Sequence, residues 1–401
     1  MSASQILIIG GGLAGLALGQ GLKQAGIDFH IFERDEAATF RAQGYRIRIG
    51  EDRGGNALRR LLAPALFQAF EETCSDVVKG GNSLDAMTGE LRTGGRMPPP
   101  QPGNAWNADR QVLRQLLLVG LEEHITFGKR FSKYEFINDG VLAYFEDGFV
   151  ARGGMLVGAD GVYSRVRKQM LPDYVLLDTA GRAVFGKTSI LEHTFEIIPA
   201  VLDQGLSLIW TDNEPRIKLF CDLMKLHPNR VAANSPAAKI ELPQDYIYWV
   251  LVFNAGSVSR TTAELSSLTR DESAVLANEL TSHWHPSIHN IVTDQLTGES
   301  STLFFSMGLP HPPWSTDTRM TLIGDAAHPM PPVGGIGANV AFEDAAELLD
   351  VLKNPELLER LRLYEEGIRN KNAEAVKMST IGGKHFFGME DVDRLAALTP
   401  H

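Results

Sequence analysis

The order of apolar and polar positions divides the chain into stretches of different period. Residues 6–9 (ILII) are a run without a polar position, as expected of a parallel strand covered on both faces. Residues 13–24 then carry leucine and alanine at helical spacing, Gly26 closes that helix, and residues 27–32 read as a second strand. Residues 44–50 (GYRIRIG) alternate, with Arg46 and Arg48 on one face and Tyr45, Ile47 and Ile49 on the other. Those arginines are either solvated or reach a bound cofactor or an anionic substrate. A helix is expected over 56–72, interrupted near Pro64, and another over 107–122 with Asn107 or Asp109 as N-cap. Residues 141–150 read as a hairpin about Glu146-Asp147-Gly148, and 155–157 as a short buried strand.

From 179 to about 253 the period changes to two. The segments GRAVFGKTSI, GLSLIWTD, RIKLFCDLM and DYIYWVLVFN carry Trp210, Phe220, Tyr246, Tyr248 and Trp249. This predicts a mostly antiparallel sheet with one packed face and one face lining a pocket. Helix returns over 265–284, an apolar strand over 320–323, and helices over 340–352 and 356–378. Residues 94–102 (GGRMPPPQP) read as an extended surface loop.

Chemistry enters where the first strand breaks. Gly10, Gly12 and Gly15 stand at G-x-G-x-x-G spacing between strand and helix, and Glu33 ends the second strand 21 residues beyond Gly12. Such glycines let backbone approach a pyrophosphate at a helix N-terminus, and an acid at that distance accepts hydrogen bonds from a ribose diol. The uncharged run 6–22 has no basic flank or cleavage site and is short for a membrane span. Arg110, expected in a first helical turn, is unfavourable beside the positive dipole end, so either solvation or a bound phosphate accounts for it.

Composition narrows the field further. The 401 residues suggest two or three domains, and a net charge of −11 without a basic tract argues against nucleic acid or membrane as partners. Two isolated cysteines, Cys74 and Cys221, exclude a disulfide framework and a redox-active pair and favour a reduced, cytoplasmic setting. His283, His285 and His289 lack a completing ligand and are interrupted by Pro286, so no metal site is expected.

Three motifs in order, the glycine fingerprint, 160–167 (DGVYSRVR) and 324–339 (GDAAHPMPPVGGIGAN), resemble the single-component FAD-dependent aromatic monooxygenases similar to para-hydroxybenzoate hydroxylase, across residues 5 to about 365. The resemblance implies an α/β fold with a Rossmann-like FAD-binding domain, a mostly antiparallel β-sheet substrate domain and C-terminal helices. The boundaries expected are 1–75, 104–175 and 301–352 for FAD, 76–103 and 176–300 for substrate, and 353–401 for the helical segment. For the cofactor it implies Gly10, Gly12, Leu13, Ala14 and Gly15 at the pyrophosphate, and Glu33 and Arg34 at the adenosine. Arg48 and the helix arginine Arg110 are further FAD contacts. Asp160, Gly161, Ser164 and Arg167 belong to a motif linked to FAD and NAD(P)H. Gly324 and Asp325 are expected at the flavin-side ribose, and Pro332, Gly334, Gly335, Gly337, Ala338 and Asn339 in the loop beneath the isoalloxazine. Arg48 and Pro332 are the catalytic candidates, and Trp210, Phe220 and Trp249, with Arg48, the pocket candidates. His328 is expected to hold its loop or touch the cofactor rather than to do chemistry.

The activity so implied takes NADPH or NADH as a transient co-substrate and O2 as oxidant. A C4a-hydroperoxide of the flavin delivers one oxygen atom to an electron-rich small molecule, and the protein is expected to be a monomer or homodimer. Hydroxylation, epoxidation and Baeyer–Villiger insertion stay open, as does an FAD oxidase or reductase without oxygen insertion. A halogenase is disfavoured because no W-x-W occurs, and a non-catalytic binding protein on the same fold because the flavin motifs are intact.

Overall fold

The computed structural model describes residues 5–37, 45–78, 80–97, 104–212, 217–310, 312, 314–332 and 335–398. The apolar run Ile6–Ile9 is the centre of a five-stranded parallel sheet, paired with Phe29–Phe32 on one side and Met155–Gly158 on the other. Ile125–Thr126 and Met320–Leu322 form its edges. All four central residues are buried because helices cover the sheet, foremost Leu13–Ala25 and Gly337–Leu352. The second helix packs on the first at Gly21, where an added Cβ would meet Leu349 Cδ2 at 2.7 Å. A three-stranded antiparallel sheet holds the predicted hairpin, Gly140–Phe145 with Val150–Gly153.

The larger sheet is built around Leu176–Ser189, which pairs antiparallel with Tyr246–Asn254 and with Ser301–Gly308. It continues through Lys218–Met224 and Leu206–Trp210. Leu206–Trp210 then pairs parallel with Gly81–Asp85, which turns back antiparallel into Leu91–Met97. The stretch expected to be loop from residue 94 is therefore strand to Met97, because it completes the sheet edge, and residues 98–103 lie outside the described residues. One face of the sheet buries Leu219, Cys221, Ile247, Trp249, Leu251 and Phe253. Strand alternation places Phe220, Asp222, Tyr246, Tyr248 and Val250 on the other face.

Two helical expectations shift. Residues 105–109 are strand, paired antiparallel with Arg46–Gly50, and the helix is only Arg110–Leu118. Pairing with the arginine strand overrides the helical pattern of 107–109, and Asp109 rather than Asn107 becomes the cap, accepting from Gln111 N and Val112 N. The helix expected over 265–284 is two, Thr262–Ser267 and Arg270–Thr281, because Thr269 opens a new capping box with Glu272. The C-terminal helix runs Leu357–Phe387, and the tail behind it adds Ala396–Ala397 to the strand Leu176–Ser189. No helix among the described residues is long and apolar enough to cross a membrane.

Candidate cofactor and substrate site

The first helix starts without a cap. Gly12 occupies the N-cap position with extended backbone, no side chain satisfies the opening N–H groups, and no acid lies in the first turn. A Cβ at Gly12 would meet nothing within 4 Å, because that side of the residue faces a cleft of about 180 Å3. Gly10 and Gly15 are confined instead. A Cβ at Gly10, whose φ is +115°, would fall 2.3 Å from the carbonyl oxygen of Ala159, and one at Gly15 would fall 2.1 Å from that of Gly10. The three glycines thus divide their work between turning, opening and packing. Leu13 and Ala14 are buried, so only their backbone can meet a ligand.

Glu33 is buried at the tip of its strand and braces the fingerprint. It accepts from Gly11 N at 2.6 Å and from Asp35 N at 2.8 Å. The cleft beside it is lined by Arg34, Arg110, Arg114, Lys129, Arg130 and Arg165 against Glu33, Asp35 and Asp160. An uncapped helix N-terminus under such a basic rim suits a diphosphate joined to a nucleoside. These residues fit the adenosine-diphosphate half of FAD. Arg114 escaped the sequence reading, although it lies one turn beyond Arg110 on the same helical face, and its Nε donates to Gly11 O at 3.1 Å.

The second motif folds back on itself. Asp160 accepts from Ser164 Oγ and, at 2.7 Å, from Arg165 N, so it shares with Ser164 the capping of the short helix that follows. Burial pushes its carboxyl up despite these donors. Gly161 has φ +82° and open space beyond it. Arg167 corrects an expectation. Its side chain is 3% exposed and donates to the carbonyl oxygens of Ala326 (2.8 Å), Asp325 and Val162, so it ties the second motif to the third and does not face the cleft.

In the third motif Gly324, at φ +59°, packs on the first helix, where a Cβ would meet Ala14 Cβ at 2.9 Å, and its N–H donates to Asp344 Oδ2. It is a packing residue, while Asp325 beside it is open to solvent. His328 is buried with Nε2 3.0 Å from Asp344 Oδ2, and Lys371 reaches the other oxygen at 3.2 Å. Burial pushes Asp344 up, but His328, Lys371 and the Gly324 amide outweigh it and hold the carboxyl below its ordinary range. His328 thus holds its loop. Pro332 is exposed and, having no ionisable group, is limited to shaping the loop; Gly334 lies outside the described residues.

Gly335 has φ +64° with nothing near its missing side chain, and the helix Gly337–Leu352 begins without a side-chain cap or an acid in its first turn. Ala338 packs against the core. Asn339 is a clasp: its oxygen accepts from Gly50 N and Gly54 N, and its amide donates to the carbonyls of Arg48 and Gly335. A free helix N-terminus behind an open glycine loop fits the polar edge of a flavin ring that gains negative charge on reduction.

The pocket candidates separate by face. Trp249 is wholly buried on the far face, with Nε1 donating to Thr188 Oγ1 at 3.1 Å, and cannot line a pocket on the cofactor side. Trp210 is on the near face but at its far end, stacked under Arg92. Phe220 is on the near face, with its ring edge to Phe386 of the C-terminal helix at 5.3 Å. Of the histidines, His289 contacts Thr281 Oγ1 and His285 caps the helix Pro286–Thr293.

A profile described as FAD binding domain matches residues 3–49 and 305–363. The chain is 31% identical to a dual O-methyltransferase/FAD-dependent monooxygenase of Phaeosphaeria nodorum over 97% of its own length but 47% of the relative's. It spans about half the length of this and the similarly named Cercospora relatives. It is 29% identical to an FAD-dependent monooxygenase of Trichoderma harzianum, with 93% of this chain and 89% of that one aligned. Among solved structures, one named as an FAD-containing monooxygenase of Photorhabdus luminescens superposes with a TM-score of 0.79 at 27% identity, covering 96% of this chain and 98% of its own. With the fingerprint and the second motif on one basic cleft and a second free helix end behind the glycine loop of the third, the chain carries an FAD-binding domain and is similar along its length to FAD-dependent monooxygenases.

Proposed function

We propose that the protein uses NAD(P)H and O2 to insert one oxygen atom into an electron-rich aromatic small molecule. The observation that carries this reading is the pair of uncapped helix N-termini at Gly12 and Gly337, the first on the basic cleft and the second behind the open Gly335 loop and clasped by Asn339. Bound FAD supplies hydride acceptance and oxygen activation there.

The chain's own part is positional. Gly10–Gly12, Arg110 and Arg114 hold the diphosphate, Glu33 and Arg34 the adenosine, and Asp325 the ribityl side. The N–H groups opening the helix at Gly337 face the edge where charge gathers. The near face of the large sheet, bearing Phe185, Phe220, Tyr248 and Val250, closes the reacting volume from the other side and excludes water. No second glycine fingerprint occurs, so nicotinamide binding is transient and over the FAD-binding side.

The relatives named as both O-methyltransferase and FAD-dependent monooxygenase favour a phenolic aromatic as the substrate here, because a phenol is open to both chemistries. The test is an incubation of FAD-loaded protein with NADPH or NADH and a panel of phenols under 18O2. Product carrying one 18O, formed in step with nicotinamide oxidation, is expected. Nicotinamide oxidised with only peroxide formed would replace the reading with that of an oxidase. Flavin that neither nucleotide reduces would exclude both.

A further inference from the structure

The helix Arg110–Leu118 opens on the nucleotide cleft with a cation whose aim is set from outside the cofactor layer. Arg110 lines that cleft from the first turn, the end at which a helix dipole disfavours positive charge. Arg114, one turn on, is anchored through Nε to Gly11 O at 3.1 Å. The Arg110 side chain makes no hydrogen bond or ion pair among the described residues. What holds its head is a ring: Cζ stands 5.3 Å from the centroid of Tyr45. The two backbones are joined as well, Arg110 N donating to Tyr45 O at 2.9 Å.

Tyr45 is itself held from the large sheet. Its ring meets that of Phe185 edge-on, with centroids 5.7 Å apart and planes at 68°. Phe185 is buried in the interior of the sheet, paired with Val250 on one side and Ser301 on the other. Two residues along the same strand, and so on the same face, stands Lys187. Its Nζ lies 3.2 Å from Asp109 Oδ2, and Asp109 caps the helix that Arg110 begins. One strand therefore reaches Arg110 twice. Lys187 and Asp109 fix where the first turn starts, and Phe185 and Tyr45 fix where the long side chain points. Neither route passes through the glycine fingerprint.

We propose that Tyr45 is a positioning residue that aims Arg110 into the nucleotide cleft, so that the large sheet, through Phe185, sets how tightly the cleft holds a diphosphate. This rests on the reading above that Arg110 meets the FAD diphosphate, and is independent of whether oxygen is inserted. The ring acts before the ligand arrives. Attraction between guanidinium and ring face confines the side chain, and a confined arginine gives up less freedom when it meets an anion. The ring face is the operative part, and the phenol hydroxyl is not needed.

The test titrates FAD into the full-length apoprotein by flavin fluorescence, with the melting temperature of each apoprotein recorded beside it. Arg110→Met is expected to weaken FAD about tenfold or more. Tyr45→Leu is expected to weaken it about fivefold, and Tyr45→Phe, which keeps the ring face, to stay within about twofold of the wild type. Tyr45→Leu added to Arg110→Met is expected to change nothing further, because the ring has no cation left to hold. Phe185→Leu is expected to weaken FAD about threefold, and to lose that effect in the Arg110→Met background. Full FAD affinity in folded Tyr45→Leu, additive losses in the double variant, or a Tyr45→Phe as weak as Tyr45→Leu each overturn the proposal. If Tyr45→Leu does not fold, unchanged affinity in Phe185→Leu overturns it. Unchanged affinity in Arg110→Met sinks the diphosphate reading and the proposal with it, whereas an effect of Arg110→Met with none of Tyr45→Leu sinks the proposal alone.

Discussion

Lys187 Nζ lies 3.2 Å from Asp109 Oδ2, with the two side chains 7% and 1% exposed, and Asp109 is at once the cap of the helix that begins with Arg110. One carboxylate therefore fastens the large sheet to the first turn of a cleft-lining helix. Asp109→Asn keeps an oxygen for the cap but turns an amide toward a buried ammonium, and should cost about 3 kcal/mol. In a double-mutant cycle with Lys187→Met, measured by urea unfolding, the pair is expected to couple by about 1–3 kcal/mol. Additive losses would show that the two side chains do not act together.

Gly12 and Gly15 should respond oppositely to the same methyl group. At Gly12 the new Cβ enters the cleft and touches no protein atom, so Gly12→Ala is expected to fold normally and lose FAD affinity by about tenfold or more. At Gly15 it strikes the Gly10 carbonyl, and Gly15→Ala should cost about 3 kcal/mol of stability with or without FAD. Melting curves of apoprotein beside flavin-fluorescence titrations separate the two effects.

The buried carboxylate Asp344 gives the protein an acid-sensitive brace. Its folded value lies below that of the unfolded chain, so its contribution is fully present above the ordinary aspartate range, about pH 4, and fades as pH falls through the folded value. Between about pH 6 and pH 3 the wild-type melting temperature should fall more steeply than that of Asp344→Asn, which lacks this component. Parallel slopes would assign the acid sensitivity to other groups.

Trp249→Phe removes the bond to Thr188 and opens space under Gly186, whose missing Cβ lies 2.2 Å from the Trp249 ring. The expected loss is about 2 kcal/mol of stability, with ligand and FAD affinities unchanged. A selective change in ligand affinity would return Trp249 to the pocket.

The contrast between Gly12 and Trp249 shows what a sequence can carry. The fingerprint was legible because its geometry is local: strand, turn and helix lie within a few residues, and each glycine's spacing reports a backbone demand. A cap at Asn107 or Asp109 was legible for the same reason, and the strand pairing of 105–109 decided between them. Trp249 and Phe220 both sit on alternating strands, and only pairing with neighbouring strands decides which face meets the cofactor side. Arg167 bonds to carbonyls of Asp325 and Ala326, more than 150 residues away, so its motif placed it near the flavin while its partners were invisible. The strand at 105–109 was hidden because its partner, Arg46–Gly50, lies distant in sequence and is stronger than the local helical preference.

The parallel sheet joins Ile6–Ile9 to Met155–Gly158, and that strand in turn to Met320–Leu322. During synthesis the first strand must therefore wait for its second neighbour through some 150 residues of translation, and the sheet gains its last edge only after twice that length. An order so dominated by distant pairings makes acquisition slow and leaves apolar strand edges exposed while the ribosome works. The free helix end behind Gly335 joins the nucleotide cleft only when the third motif has emerged. A ligand that binds the finished arrangement and not its precursors then acts as a thermodynamic latch on biogenesis, so flavin supply in the producing cell governs yield as well as activity.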